Sequence, residues 1–196
     1  MTFPAAHFED AEKQAHAARL GLWVFLASEV LLFGAIITLF VACRAEDRAG
    51  FHQAVLHNTK LLGSINTGVL LVSSTLVACS VHAIRAGRRW LASALVGGTL
   101  VLGAVFLAIK LTEYARHFRE GIYPGTSSQF WTLYFGMTGL HAIHVTVGMG
   151  VLAVLLLGVL RGRIHAARAH PLELGATYWH LVDIVWIFLW PLLYLS

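Results

Sequence analysis

The strongest constraint in this sequence is a set of five long apolar segments that carry almost no charge. A helix needs about 20 mainly apolar residues to cross the hydrocarbon core of a bilayer. The five segments span residues 20–43, 61–84, 90–109, 130–160 and 176–195. The first and last contain one acidic residue each, Glu29 and Asp183, and the other three contain no charged residue. The pattern therefore predicts five transmembrane helices in a single membrane domain, 1–196.

Composition argues against the main alternatives to a membrane helical bundle. Hydrophobic residues make up 58% of the chain and charged residues 12%, whereas a soluble domain carries about 25% charged residues. The apolar segments are about twice as long as the strands of a membrane barrel and show no alternation of polarity. The net charge of +4 comes from short clusters between the segments, which does not indicate a nucleic-acid partner. We expect an all-α, polytopic membrane fold.

The Lys and Arg residues of the connections predict its orientation, because basic residues favour the cytoplasmic side of a membrane. Eight lie on the side of the N-terminus: Lys13, Arg19, Arg85, Arg88, Arg89, Arg161, Arg163 and Arg168. Six lie on the opposite side: Arg44, Arg48, Lys60, Lys110, Arg116 and Arg119. The excess predicts the N-terminus inside and the C-terminus outside. Reporters fused after Arg88 and after Ser196 should therefore be active on opposite sides of the membrane; activity on one side contradicts this orientation.

Titratable side chains within the segments are the first candidates for function, because each costs at least about 2.5 kcal/mol in hydrocarbon. The buried polar or proton-related candidates are Glu29, His141, His144, His180 and Asp183. No Lys or Arg shares the mid-membrane depth of Glu29, so we expect this carboxyl to be neutral.

Three pairs of polar residues have the spacing of neighbours on one helix face. They are Glu113 with His117, His141 with His144, and His180 with Asp183. The first predicts an ion pair at the outer membrane interface. The second predicts hydrogen bonds between helices, and the third predicts two residues that bond to each other and hold the last segment against a neighbour. Ligands of a haem or a metal are the alternative for the histidines.

Two other classes of protein are weaker alternatives. In a small b-type cytochrome, the haem ligands come from facing helices, whereas His141 and His144 share one segment. A secondary transporter is typically built from repeats with broken helices, and here only Pro191 interrupts a segment. We therefore expect no redox cofactor and no metal on this chain.

Three motifs in order along the chain resemble the signatures of subunit III of the haem-copper oxidases. They are GLWVFLASEVLLF at 21–33, TGLHAIHV at 138–145 and YWHLVDIVW at 178–186. Glu113-Tyr114, Gly121, Ser127-Ser128 and the run Glu173-Leu174-Gly175 also resemble the family's connections. The motifs cover nearly the whole chain, which resembles the short, five-helix bacterial members.

The resemblance implies a non-catalytic subunit of an aerobic terminal oxidase in the bacterial cytoplasmic membrane. The haems and copper would belong to subunits I and II, the implied partners, with a respiratory supercomplex as a further candidate. The chain would bind phospholipid and support proton uptake and survival through turnover. Arg161 and Arg163 resemble the basic residue that meets a lipid phosphate at the inner interface, and Glu173 is carried over as an interfacial polar residue.

The resemblance also offers a choice of electron donor. Ser28-Glu29-Val30 and the run 178–183 resemble the branch that oxidises cytochrome c, which is the reading we prefer from sequence. Subunit III of a quinol oxidase, or of a relative associated with nitric oxide reductase, is the alternative, because those members tend to carry Asp where this chain has Glu29.

Overall fold

The computed structural model describes residues 11–125 and 128–195, and its regular structure there is helical. The helices are α1 (Ala11–Glu46), α2 (Arg48–His57), α3 (Lys60–Arg85), α4 (Arg89–Arg119), α5 (Gln129–Leu160) and α6 (His170–Tyr194), with a 3-10 turn at Ala166–Arg168. All except α2 are long and apolar enough to span a membrane. The five predicted spans and the all-α fold are confirmed.

The observed helices extend beyond several of the predicted bounds. The third span was expected to end at 109, but α4 continues through Lys110 and Glu113 to Arg119. The last was expected to begin at 176, but α6 begins at His170, with a proline in its first turn, where its missing N–H costs nothing. Hydropathy places the bounds of these spans at charged residues, whereas in the structure the helices continue past them: Lys110 and Glu113 are buried in the bundle, and Glu173 lies at its surface.

Helices α3 and α4 form a tight antiparallel hairpin that is the largest helix–helix contact in the bundle. Its turn places Gly87 at φ 73°, a left-handed conformation that favours glycine. The amide of Arg88 returns to the carbonyl of Ala83 at 2.9 Å. This turn fixes the α3–α4 pair against which α6 packs.

The last helix, α6, lies at the centre of the bundle and packs against both α3 and α5. Trp179 and Trp186 are fully buried on α6. Their indole N–H groups donate to hydroxyls of α3, Ser73 and Thr67, each at 3.1 Å. These bonds satisfy polar atoms that hydrocarbon would leave unpaired and attach α6 to α3 along the helix.

Helix α1 is peripheral and contacts α5 and α6 along one narrow seam. Leu26, Phe33 and Phe40, each seven residues apart, are its buried apolar anchors. A seven-residue period is the spacing of a helix that packs at a shallow angle against a neighbour. Most of the remaining surface of α1 is exposed, so this helix offers a broad apolar face to the membrane or to a partner.

The short helix α2 was not predicted from hydropathy. Phe51 and Val55, one turn apart, are its buried residues, and the ring of Phe51 packs at 5.3 Å from that of Phe40 on α1. The hydrogen bond from His57 at its end lowers the pKa of Glu120, which follows α4. These contacts cover the end of the bundle at which α1 and α4 end.

Candidate functional site

The most deeply buried charges form a cluster between α4, α5 and α6, which we term the lysine cluster: Lys110, Glu113, Tyr134 and Tyr194. The Lys110 ammonium donates to Glu113 at 2.9 Å, to the Tyr134 hydroxyl at 3.0 Å and to the Tyr194 hydroxyl at 2.9 Å. The Tyr194 hydroxyl in turn donates to the Glu113 carboxylate at 2.8 Å. All three donors of the ammonium therefore have acceptors.

Aromatic rings enclose this cluster and exclude solvent from it. The rings of Tyr114, Tyr134, Trp186 and Tyr194 have centroids 4.9–5.6 Å from the Lys110 nitrogen. The side chain of Lys110 is 3% exposed and that of Glu113 is 1% exposed. Cation–π attraction adds to the ion pair where the cation is desolvated. The cluster thus holds α4, α5 and α6 together near the end of α6.

The structure corrects the predicted ion pair between Glu113 and His117 at the membrane interface. Both residues are buried inside the bundle, and Glu113 is bound to Lys110 rather than to His117. The ring of His117 packs against Trp131 at 4.8 Å between centroids, and neither ring nitrogen has a hydrogen-bond partner among the described residues. Lys110, which sequence analysis assigned to a connection, is the residue that it missed.

A second buried contact joins α1 to α5. The Glu29 carboxylate lies 2.8 Å from Nε2 of His144, and both side chains are mostly covered, at 13% and 15% exposure. The ring of Phe33 lies over His144, with centroids 5.1 Å apart. The partner of Glu29 is therefore a histidine, whereas the sequence analysis considered only Lys and Arg at that depth.

The structure separates the other two predicted same-face pairs. His141 is fully buried among the rings of Phe33, Phe106 and Trp186, and its ring nitrogens have no hydrogen-bond partner among the described residues. His144 turns towards Glu29 instead. The two histidines lie on adjacent faces of α5, because three residues correspond to a rotation of about 300°.

In the last span, His180 and Asp183 are likewise not bonded to each other. Nδ1 of His180 lies 2.6 Å from the Ser74 hydroxyl of α3. The carboxyl of Asp183 is buried beside the same hydroxyl. Both residues contribute to the contact between α6 and α3, but the prediction that they bond to each other is wrong, because Ser74 of α3 is the hydrogen-bond partner.

An ion pair at the surface joins the end of α3 to the start of α6. Arg85 contacts Glu173 at 2.9 Å, with side chains 57% and 28% exposed. Arg161 and Arg163 follow the end of α5 and are exposed. Their side chains are therefore available to a ligand at that end of the bundle.

Over residues 11–125 and 128–195, no three His, Cys, Asp or Glu side chains converge in a way that could hold a metal ion. The polar groups of the spans instead pair across helices, as Glu29 does with His144 and His180 with Ser74. The fold and these contacts define a class: a polytopic helical membrane protein whose buried polar groups join its spans.

Comparison with known proteins places the chain within that class. Residues 3–196 match the family described as Cytochrome c oxidase subunit III, and the chain belongs to this family. It is 33% identical to the probable quinol oxidase subunit 3 of Staphylococcus haemolyticus, over 90% of this chain and 88% of the relative. It is 30% identical to quinol oxidase subunit 3 of Bacillus subtilis, over 94% of this chain and 91% of the relative. The resemblance to haem-copper oxidase subunit III is confirmed.

Proposed function

We propose that this chain is the accessory third subunit of a respiratory terminal oxidase that takes its electrons from a quinol. Membership of the haem-copper oxidase subunit III family makes it part of an oxidoreductase complex in a membrane. The observation that supports the quinol donor is the match over nearly full length to relatives named quinol oxidase subunit 3. The sequence motifs favour cytochrome c as the electron donor, whereas these relatives favour the alternative, a quinol.

Oxidation of cytochrome c remains the second candidate, because Ser28-Glu29-Val30 and the run 178–183 resemble that branch. The test is to purify the complex through a tag on this chain and to measure oxygen consumption with a reduced quinol and with reduced cytochrome c. We expect rapid consumption with the quinol. Activity with cytochrome c alone supports the second candidate, and activity with neither contradicts an oxidase.

In this proposal the oxidation chemistry takes place in subunits I and II, and this chain contributes packing and lipid contacts. Two apolar grooves flank the seam of α1 and support a role in lipid binding. One, of about 570 Å³, lies between α1 and α6 beside Trp23 and Leu181. The other, of about 390 Å³, lies between α1, α5 and α6 beside Phe25 and Tyr178. Acyl chains fit the apolar lining of both.

A substitution at Glu29 tests this accessory role. Glutamine has nearly the same shape and can still bond to His144, so Glu29→Gln should leave the complex assembled and most of the initial oxygen consumption intact. The measurement is initial oxygen uptake per complex, with His144→Gln as the matched change on the other side of the contact. Loss of oxygen reduction in an assembled Glu29→Gln complex would instead make Glu29 a direct part of the proton path.

We also propose that Arg161 and Arg163 bind an anionic phospholipid at the inner interface. Guanidinium groups bind phosphate through paired hydrogen bonds, and both side chains are exposed where α5 ends. Replacing both by Ala should lower the anionic phospholipid that purifies with the complex. It should also accelerate the loss of activity during turnover more than it lowers the initial rate. Unchanged lipid content by quantitative mass spectrometry would contradict lipid binding and leave the two arginines with a role only in setting the orientation of the chain in the membrane.

A further inference from the structure

A basic cavity lies at the elbow between α1 and α2, apart from the contacts described above. It has a volume of about 470 Å³ and is lined by Val41, Arg44, Ala45, Arg48 and His52. The membrane-spanning part of α1 ends at Glu46. The cavity is therefore placed where lipid headgroups meet the protein.

Arg44 and Arg48 line this cavity without a carboxylate bonded to either of them among the residues that the structure describes. Glu46 and Asp47 lie between them in sequence, but neither lines the cavity, and the Asp47 carboxylate accepts a hydrogen bond from the Gly50 amide at 2.9 Å. Two guanidinium groups facing one cavity repel each other unless an anion lies between them.

Helix electrostatics account for one of these cations but not for the other. Arg44 lies in the last turn of α1, where the negative end of the helix dipole favours a cation. Arg48 begins α2, whose first turn contains no acidic residue. The positive end of the dipole beside it does not favour a cation, although the N-cap carboxylate of Asp47 lies at the same helix end. His52, one turn further along the same face, adds a third group of the same sign when it is protonated.

We propose that this cavity binds the phosphate of an anionic phospholipid. The forked guanidinium groups match phosphate oxygens, and the exposed side chain of Val41, which lines the cavity, provides an apolar surface on the membrane side for an acyl chain. This site lies at the opposite end of the bundle from Arg161 and Arg163. The lipid site rests on the placement of the chain in a membrane and not on the identity of the electron donor. A negative result for the quinol donor therefore does not count against the lipid site, and the reverse is also true.

The test is to replace both arginines in the complete complex, Arg44→Gln with Arg48→Gln, and to quantify bound phospholipid by mass spectrometry. We expect retention of anionic phospholipid at this site to weaken about 30-fold, because each basic residue near an anionic headgroup adds about fivefold. The control removes equal charge from the same side of the bundle, Lys60→Gln with Arg119→Gln. Both control residues are exposed and neither lines the cavity. Where the double variant does not assemble, Arg48→Gln alone gives the same comparison.

A second measurement separates a lipid from free phosphate. The complex is placed in phosphatidylcholine discs, and its thermal denaturation is followed with added phosphatidylglycerol or with inorganic phosphate. Protection by phosphatidylglycerol that Arg44→Gln with Arg48→Gln removes supports the proposal. Equal protection by inorganic phosphate overturns the assignment to a lipid. Unchanged lipid content in the variant also overturns the proposal. If the variant keeps its lipid but loses a partner subunit, the cavity is a contact site for that subunit instead.

Discussion

Replacing Lys110 by methionine should destabilise the bundle more than removing any exposed charge of this chain. The change leaves the buried Glu113 carboxylate without its cation, and breaking a buried ion pair on one side costs about 3–5 kcal/mol. Glu113→Leu should be similarly harmful, because it leaves the Lys110 ammonium in a site that is 3% exposed. The measurement is thermal denaturation of the purified complex, together with the amount of this chain that it retains.

The double variant makes this prediction specific. With Lys110→Met and Glu113→Leu together, no charge remains in the lysine cluster. The hydroxyls of Tyr134 and Tyr194, 3.4 Å apart, can then bond to each other. We expect the double variant to recover part of the stability that each single change loses. The control is Arg85→Gln, which breaks the exposed pair with Glu173 and should cost at most about 1 kcal/mol. A Lys110→Met variant as stable as this control would show that the cluster does not hold the spans together.

Gly148 on α5 is the second position at which a single change should have a large effect. A Cβ atom there would lie 3.0 Å from the indole of Trp179 and 3.1 Å from the ring of Tyr178. Gly148→Leu should therefore force α5 away from α6 and destabilise the chain by about 1–3 kcal/mol or more. Small residues permit such close approach between membrane helices.

Gly150, two residues further along, provides a matched control. No atom lies within 4 Å of a Cβ built at this position, and the residue is exposed, so Gly150→Leu should be tolerated in the apolar environment of a membrane. The same thermal denaturation distinguishes the two variants. Equal stability of Gly148→Leu and Gly150→Leu would contradict the close packing of α5 on α6.

The number of spans and the fold class could be predicted because each span is an independent signal in hydropathy. The residue at which α4 ends could not be predicted, because hydropathy counts Lys110 and Glu113 as two separate unfavourable charges in the membrane. In the folded chain they form one ion pair whose remaining bonds come from Tyr134 and Tyr194, residues distant in sequence. The spacing of three residues between Lys110 and Glu113 was nevertheless a local signal of a shared helix face.

The partners of the predicted polar residues depended on packing that spacing does not encode. Glu29 and His144 are 115 residues apart, and only the seam of α1 against α5 brings them together. His180 could equally have bonded along its own helix to Asp183, but Ser74 of α3 is its partner. Several residues with polar roles could be named from the sequence, although Lys110 could not, and which residue binds which followed from the arrangement of the helices.

We propose that this chain is a subunit of a terminal oxidase and carries none of the redox centres of that oxidase. The most direct test is to purify the complex through a tag on this chain and then to separate the chain from its partners. Visible spectra and metal content are recorded before and after separation. We expect haem and copper in the complex and neither in the separated chain. Stoichiometric haem, copper or iron on the separated chain would contradict the account and restore the cytochrome alternative.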